Sequence, residues 1–135
     1  MRATDIPFAE LVGVKQSDDA LSLEFEKKIS NHLQTIHAGA QYTLAETASG
    51  LYLQELFPEL VGKVVPILRE SNIKYKKPAS TSIKALAKID DAKKEKFREM
   101  FAKKGRALLE VSVEVVDADS SIVANASFVW FVQKI

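Results

Sequence analysis

The stretch His37-Ala38-Gly39-Ala40-Gln41-Tyr42-Thr43-Leu44-Ala45-Glu46-Thr47-Ala48-Ser49-Gly50 decides how the chain is organised. It reads as a loop turning directly into a long helix that runs to about Leu56, where Pro58 stops it. Ala45, Ala48, Tyr52 and Leu56, with Leu44 and Leu51 beside them, make one apolar stripe at helical spacing. Small residues from Ala38 to Gly50 let the helix backbone lie close to whatever it packs on. Glu46 stands beside the stripe, about two turns from the helix start. The first amides, near Ala38, Gly39 and Ala40, have no partner inside the helix, and the positive end of the macrodipole lies behind them. Two readings stand side by side. Unpaired donors and a carboxylate on one helix can hold an oxyanion and activate a nucleophile; a Gly/Ala-rich start can also serve packing alone, with a solvated Glu.

Outward from this helix, the remaining chain is mostly strand. Thr4 can cap a short helix through Asp5 to Glu10, after which Leu11-Val12-Gly13-Val14 reads as a first strand. Leu21 to Glu26 alternates apolar and polar, and the turn residues Gln16 to Asp19 join the pair as a hairpin. Lys27 to Ile36 is a loop feeding the central helix. Val61 to Leu68, interrupted by Pro66, suggests an edge or bulged strand. Ser71 to Tyr75 alternates again and ends before Pro78, and Ser82 to Ile89 alternates as well. Asp90 to Lys104 changes period: Phe97, Met100 and Phe101 lie three and four apart among charges, Asp90 or Asp91 can cap, and Gly105 ends the helix. Ala107 to Asp117 and Ile122 to Gln133 are long strands joined by a turn. The expected class is α+β, an antiparallel sheet with one long helix against a face and a second, amphipathic helix inserted late. One helix cannot cover a sheet of this size, so association into a dimer is expected.

The 135 residues fit a single domain, residues 1–135. No run approaches the roughly 18 apolar residues of a membrane span, and nothing near Met1 resembles a secretion signal, so a cytoplasmic protein is the simplest expectation. Zero cysteines exclude disulfides, thiolate metal sites and a cysteine nucleophile. His32 and His37 are five apart with no third ligand in view, so no metal site is expected. A net charge of +1 argues against general nucleic-acid binding, but the charge is uneven. Residues 1–60 hold four Lys/Arg against nine Asp/Glu, whereas residues 61–135 hold fifteen against nine. The basic excess at Lys74, Lys76, Lys77, Lys84 and Lys88, then Lys93 to Arg106, is either solvated surface or a site for a phosphate-bearing small ligand.

The element order, with Asn31-His32-Leu33-Gln34-Thr35-Ile36-His37-Ala38-Gly39-Ala40 through Glu46-Thr47-Ala48, resembles the hot-dog fold, in which a curled antiparallel sheet wraps a long central helix. More narrowly it resembles the small acyl-CoA thioesterases of the phenylacetyl-CoA and 4-hydroxybenzoyl-CoA kinds. Those enzymes carry an Asn, then six residues on a His followed by small residues, then an acid nine residues after the His. Asn31, His37 and Glu46 reproduce both intervals, and Tyr75-Lys76-Lys77-Pro78 matches the strand that runs as an aromatic, two residues and a proline. The resemblance covers nearly the whole chain. It departs at Ala38, where a Gly is usual, at Leu68, aligned where some members have a hydroxyl, and at Gly50, where some hold water with one. The helix Asp90–Lys104 is an insertion relative to the shortest members.

The resemblance implies an acyl-CoA thioesterase that needs no cofactor, CoA being part of the substrate. It assigns Glu46 as general base or nucleophile, the Ala38 amide with Gly39 as oxyanion hole, His37 to orient the loop or polarise the carbonyl, and Asn31 to position water or the loop. Lys76 and Lys77, then Lys74 and Tyr75, would take the CoA end, ahead of Lys103, Lys104 and Arg106. It implies a homodimer, or a dimer of dimers. The competing readings are a hydroxyacyl dehydratase on the same fold and an acyl-CoA-binding or scaffold protein without turnover.

Overall fold

Helix α2 (Ala38–Leu56) is the element the others are built on. The computed structural model describes residues 1–135. At 19 residues α2 is about 28 Å long, enough to cross a whole sheet. His37 caps its start, and its backbone ends at Phe57, immediately before Pro58. Leu44, Ala45, Ala48, Leu51 and Leu53 are buried along it, and the alanines leave no side-chain bulk to hold the helix off the sheet.

Six strands surround it: β1 (Lys15–Gln16), β2 (Leu21–Leu23), β3 (Val64–Tyr75), β4 (Ile83–Lys88), β5 (Arg106–Val116) and β6 (Ile122–Lys134). They form one antiparallel sheet in the order β1-β2-β4-β5-β6-β3, curled so that α2 touches β2, β3, β4, β5 and β6. Alternation sets the two faces. Leu109, Val111, Val113 and Val115 of β5 are buried toward α2, opposite Trp130, Phe128, Ala126 and Ala124 of β6. The intervening Leu108, Glu110, Ser112 and Glu114 face away from it.

The short N-terminal helix is α1 (Pro7–Val12), preceded by a 3-10 turn at Ala3–Asp5. Thr4 therefore lies inside a turn and caps nothing, while Pro7 starts α1 because its fixed φ is already helical. Leu11-Val12-Gly13-Val14 is not a strand: Leu11 and Val12 finish α1, and Gly13, at φ 98°, ends it. A short apolar run fits a helix end as well as a strand, and the glycine decides between them. The first hairpin forms as expected but starts at Lys15, pairing with Ser22. The two runs around Pro66 and Ser71 are one continuous edge strand, β3, with a bulge between Leu68 and Glu70. Pro66 is tolerated because an edge strand needs its ladder on one side only.

Helix α3 (Asp91–Lys104) is as read from the sequence: Asp90 accepts from the Ala92 and Lys93 amides at 2.8 and 3.3 Å, and Gly105 closes it at φ 71°. Its buried Phe97 stacks between Phe57, 5.0 Å away, and Phe101, 5.8 Å away, which ties α3 to the end of α2. No helix is long and apolar enough to cross a membrane.

Candidate functional site

The start of α2 meets the inner side of edge strand β3 along a seam, and most of the candidate residues lie on it. His37 Nδ1 accepts the Gly39 N–H at 2.8 Å, which places the ring proton on Nε2. The amides of Ala40 and Gln41 bond to the His37 carbonyl. The Ala38 N–H is left without a protein partner, at the positive end of a long helix. The Tyr75 hydroxyl donates to the Ala38 carbonyl at 2.9 Å and so pins β3 to the first turn. Burial, then the neighbouring Tyr42 hydroxyl, raises the Tyr75 pKa, so the phenol stays a donor.

One turn along, the Tyr42 hydroxyl and Ser71 Oγ share a hydrogen bond of 2.9 Å. Ser71 is an inward hydroxyl on this strand, where alignment by sequence points to Leu68. Because the bulge falls between them, both Leu68 and Ser71 sit opposite inward residues of β6, Trp130 and Phe128. No period count along the strand would give that orientation.

Glu46 follows Tyr42 by one further turn. It is half-buried, and burial alone raises its carboxyl pKa, with no hydrogen bond or charge to offset the cost. Beyond it, Gly50 leaves room for Trp130: a Cβ there would lie 3.1 Å from the indole Cζ2. The indole N–H donates to Ser49 Oγ at 2.9 Å. The space that a hydroxyl side chain at position 50 would need is therefore filled by an aromatic ring.

Beside the helix start is a groove of about 370 Å³ lined by Asn31, Leu33, Ala38, Gln41, Tyr75 and Lys76, with Lys77 at its margin. Asn31 Oδ1 accepts the Leu33 and Thr35 amides at 2.9 and 3.1 Å, and its Nδ2 donates to Thr35 Oγ1 at 2.9 Å, so it holds the shape of the loop. Lys76 makes no ion pair, whereas Lys77 Nζ lies 3.3 Å from Asp117, whose carboxyl pKa is lowered chiefly by the Ser121 amide. Lys74 alternates with Tyr75 and faces the other side of the sheet. Gln41 carries no signal in the sequence pattern. Only 4% exposed, it donates from Nε2 to the Ile36 carbonyl at 3.0 Å and leaves Oε1 unpartnered. No three His, Asp or Glu side chains come together as a cation cluster.

Thus Asn31, Ala38, Tyr75, Lys76 and Lys77 share one groove. Glu46 lies further along α2, eight residues or about 12 Å from Ala38.

This architecture, a curled antiparallel sheet around a long central helix, is the hot-dog fold. The chain belongs to the DUF4442 family, described as a domain of unknown function, whose model matches residues 9–132. No curated protein sequence matches it. Among solved structures it is similar to PA5026 of Pseudomonas aeruginosa, named a probable thioesterase: TM-score 0.80, 21% identity, 97% of this chain and 89% of that one. A protein of unknown function from Chlorobaculum tepidum gives 0.83 at 18% identity, over 98% and 90% of the two chains. A Bacillus halodurans protein crystallised with CoA gives 0.72 at 26% identity, over 93% and 75%.

Proposed function

We propose that the chain is an acyl-CoA thioesterase. The observation that carries the reading is the pair on α2: an unpartnered Ala38 N–H at the helix start and an uncompensated, half-buried Glu46 carboxylate. In this reading the Ala38 amide donates to the thioester oxygen as negative charge develops there. Glu46 takes a proton from water as the water oxygen bonds to the carbonyl carbon; the C–S bond then breaks, and the sulfur leaves with that proton as the CoA thiol. A raised pKa makes Glu46 a stronger base than an exposed glutamate. The CoA-bound neighbour supports a CoA-type substrate. A panel of acyl-CoA thioesters with a thiol-detecting reagent tests the proposal. Thiol release from the native chain that is absent in Glu46→Ala supports it; binding of the thioesters without any release would instead select the non-catalytic reading.

The 12 Å between Ala38 and Glu46, about eight helical rises, is too long for one water to span within a protomer. A two-fold that sets two α2 helices antiparallel would bring Glu46 of one protomer to the same helix start in its partner. The long edge strand β3, with one side of its ladder open, offers the contact. A dimer that persists at nanomolar concentration is therefore expected in sedimentation. A folded monomer with full activity would refute the shared site.

Lys76, unpaired at the groove, is the first cation placed for the CoA phosphates, with Lys77 second because Asp117 already engages it. Neutralising both should raise KM for a CoA thioester about 2- to 30-fold, the range for two exposed charge pairs, and leave kcat nearly unchanged. A truncated pantetheine thioester should show no such effect. Equal losses on both substrates would assign these lysines to folding or to the acyl site.

A further inference from the structure

A larger groove than the one at the start of α2 lies elsewhere. On the face of the sheet turned away from α2, outward residues of β3, β5 and β6 and the adjoining side of α3 enclose a groove of about 580 Å³. That volume is within the usual range of small-molecule sites. Its floor is Leu108, Val129 and Phe131, with Met100 from α3, and Leu108 is 53% exposed. Around it stand Arg69, Lys96, Lys104 and Arg106, none of them in an ion pair, while Lys93 is tied to Glu110. The Arg69 guanidinium lies 4.9 Å from the Phe131 ring centroid, already turned over the floor. Phe131 is seven residues along β6 from Ala124, the partner of Tyr75, which is about 23 Å of strand. This groove shares no residue with the seam at the start of α2, and its ligand chemistry is independent of the proposed hydrolysis.

We propose that this groove binds a single-chain amphiphile with a phosphorylated head, its hydrocarbon lying on Leu108, Val129 and Phe131 and its phosphate among Lys96, Lys104, Arg106 and Arg69. Three features select that chemistry. The floor has no free hydrogen-bonding group, since Glu110 is paired, so it offers nothing to the polar edges of a sugar or base. The rim supplies donors only, and four unpaired cations suit a head with more than one negative charge better than a lone carboxylate. A second copy of this chain is disfavoured as occupant, because a two-fold contact would set these cations against their own copies. Exposed lysines on a surface helix are ordinarily just solvated; what separates these from that case is the apolar floor that they surround.

Calorimetric titration of the whole chain tests the site with three probes: dodecyl phosphate below its micellar concentration, dodecyl maltoside and inorganic phosphate. Dodecyl phosphate should bind at least about tenfold more tightly than either of the others, since only it uses floor and rim together. Lys96→Glu with Arg106→Glu should weaken dodecyl phosphate by about tenfold and leave dodecyl maltoside unchanged. Leu108→Asp should weaken both alkyl probes. All three positions are exposed, and unchanged circular dichroism would verify the fold. Equal affinity for the two alkyl probes, or indifference to all three substitutions, would overturn the proposal. So would a wild-type oligomer that Leu108→Asp dissociates and that binds no probe, since the groove would then be a contact between copies.

Discussion

Glu46→Gln is expected to slow hydrolysis by about two to four orders of magnitude and to leave the protein at least as heat-stable as before. Loss of a general base costs roughly 10²- to 10⁴-fold, and an isosteric amide cannot take the proton. Stability should move the other way. Burial raises the Glu46 pKa, so across the interval between an ordinary glutamate and the folded value the native state holds more proton than the unfolded chain. Stability from that group is full at low pH and falls as pH rises through the folded pKa. At neutral pH the charged carboxylate is a cost, which the amide removes. Thermal unfolding at pH 7 should therefore favour the Glu46→Gln variant, with the gap closing under acid. The native rate should climb with pH through an inflection above that of an ordinary exposed glutamate. Near-native turnover in the variant, with intact circular dichroism, would sink the role of Glu46 in the reaction.

Phe128→Ala should be the most damaging single truncation. Phe128 is 0% exposed, lies between Val111 of β5 and Ser71 of β3 in register, and meets Tyr42 of α2 edge-on at 5.6 Å. Emptying such a position costs about 3–5 kcal/mol, or roughly 10–20 °C in Tm for a chain of this length. Urea unfolding should show the midpoint falling with the slope unchanged. A loss below about 1 kcal/mol, far under the usual cost of such a truncation, would mean that β6 presents its other face to α2.

Where local chemistry and tertiary packing agree, the fold is legible in the residues. Asp90, the spacing of Phe97, Met100 and Phe101, and Gly105 specify α3 unaided, and the alternation of β5 and β6 holds up to the irregularity at Val115 and Val116. Sequence misleads where two solutions share one local pattern. Leu11 to Val14 suits a strand until the chain must turn at Gly13. Pro66 looks like an interruption until β3 is known to be an edge. At the candidate site, the intervals between Asn31, His37 and Glu46 are visible in the sequence, but what their side chains bond to is not. Asn31 is engaged by Thr35 across a turn in which Gln34 adopts φ 61°, a conformation that its neighbours do not signal. The Ser71 hydroxyl reaches Tyr42 only through a bulge that three-dimensional pairing creates.

Trp130, the only tryptophan in the chain, gives the molecule a built-in optical reporter. Its ring lies against Gly50 and its N–H is held by Ser49, both within about one turn of Glu46, so the indole emits from the contact between the central helix and the sheet. Any shift of that helix against β6, whether from a bound ligand or from loosening on heating, changes the polarity around the one indole. The seating of the central helix can thus be followed by intrinsic emission, without attaching a label to the protein.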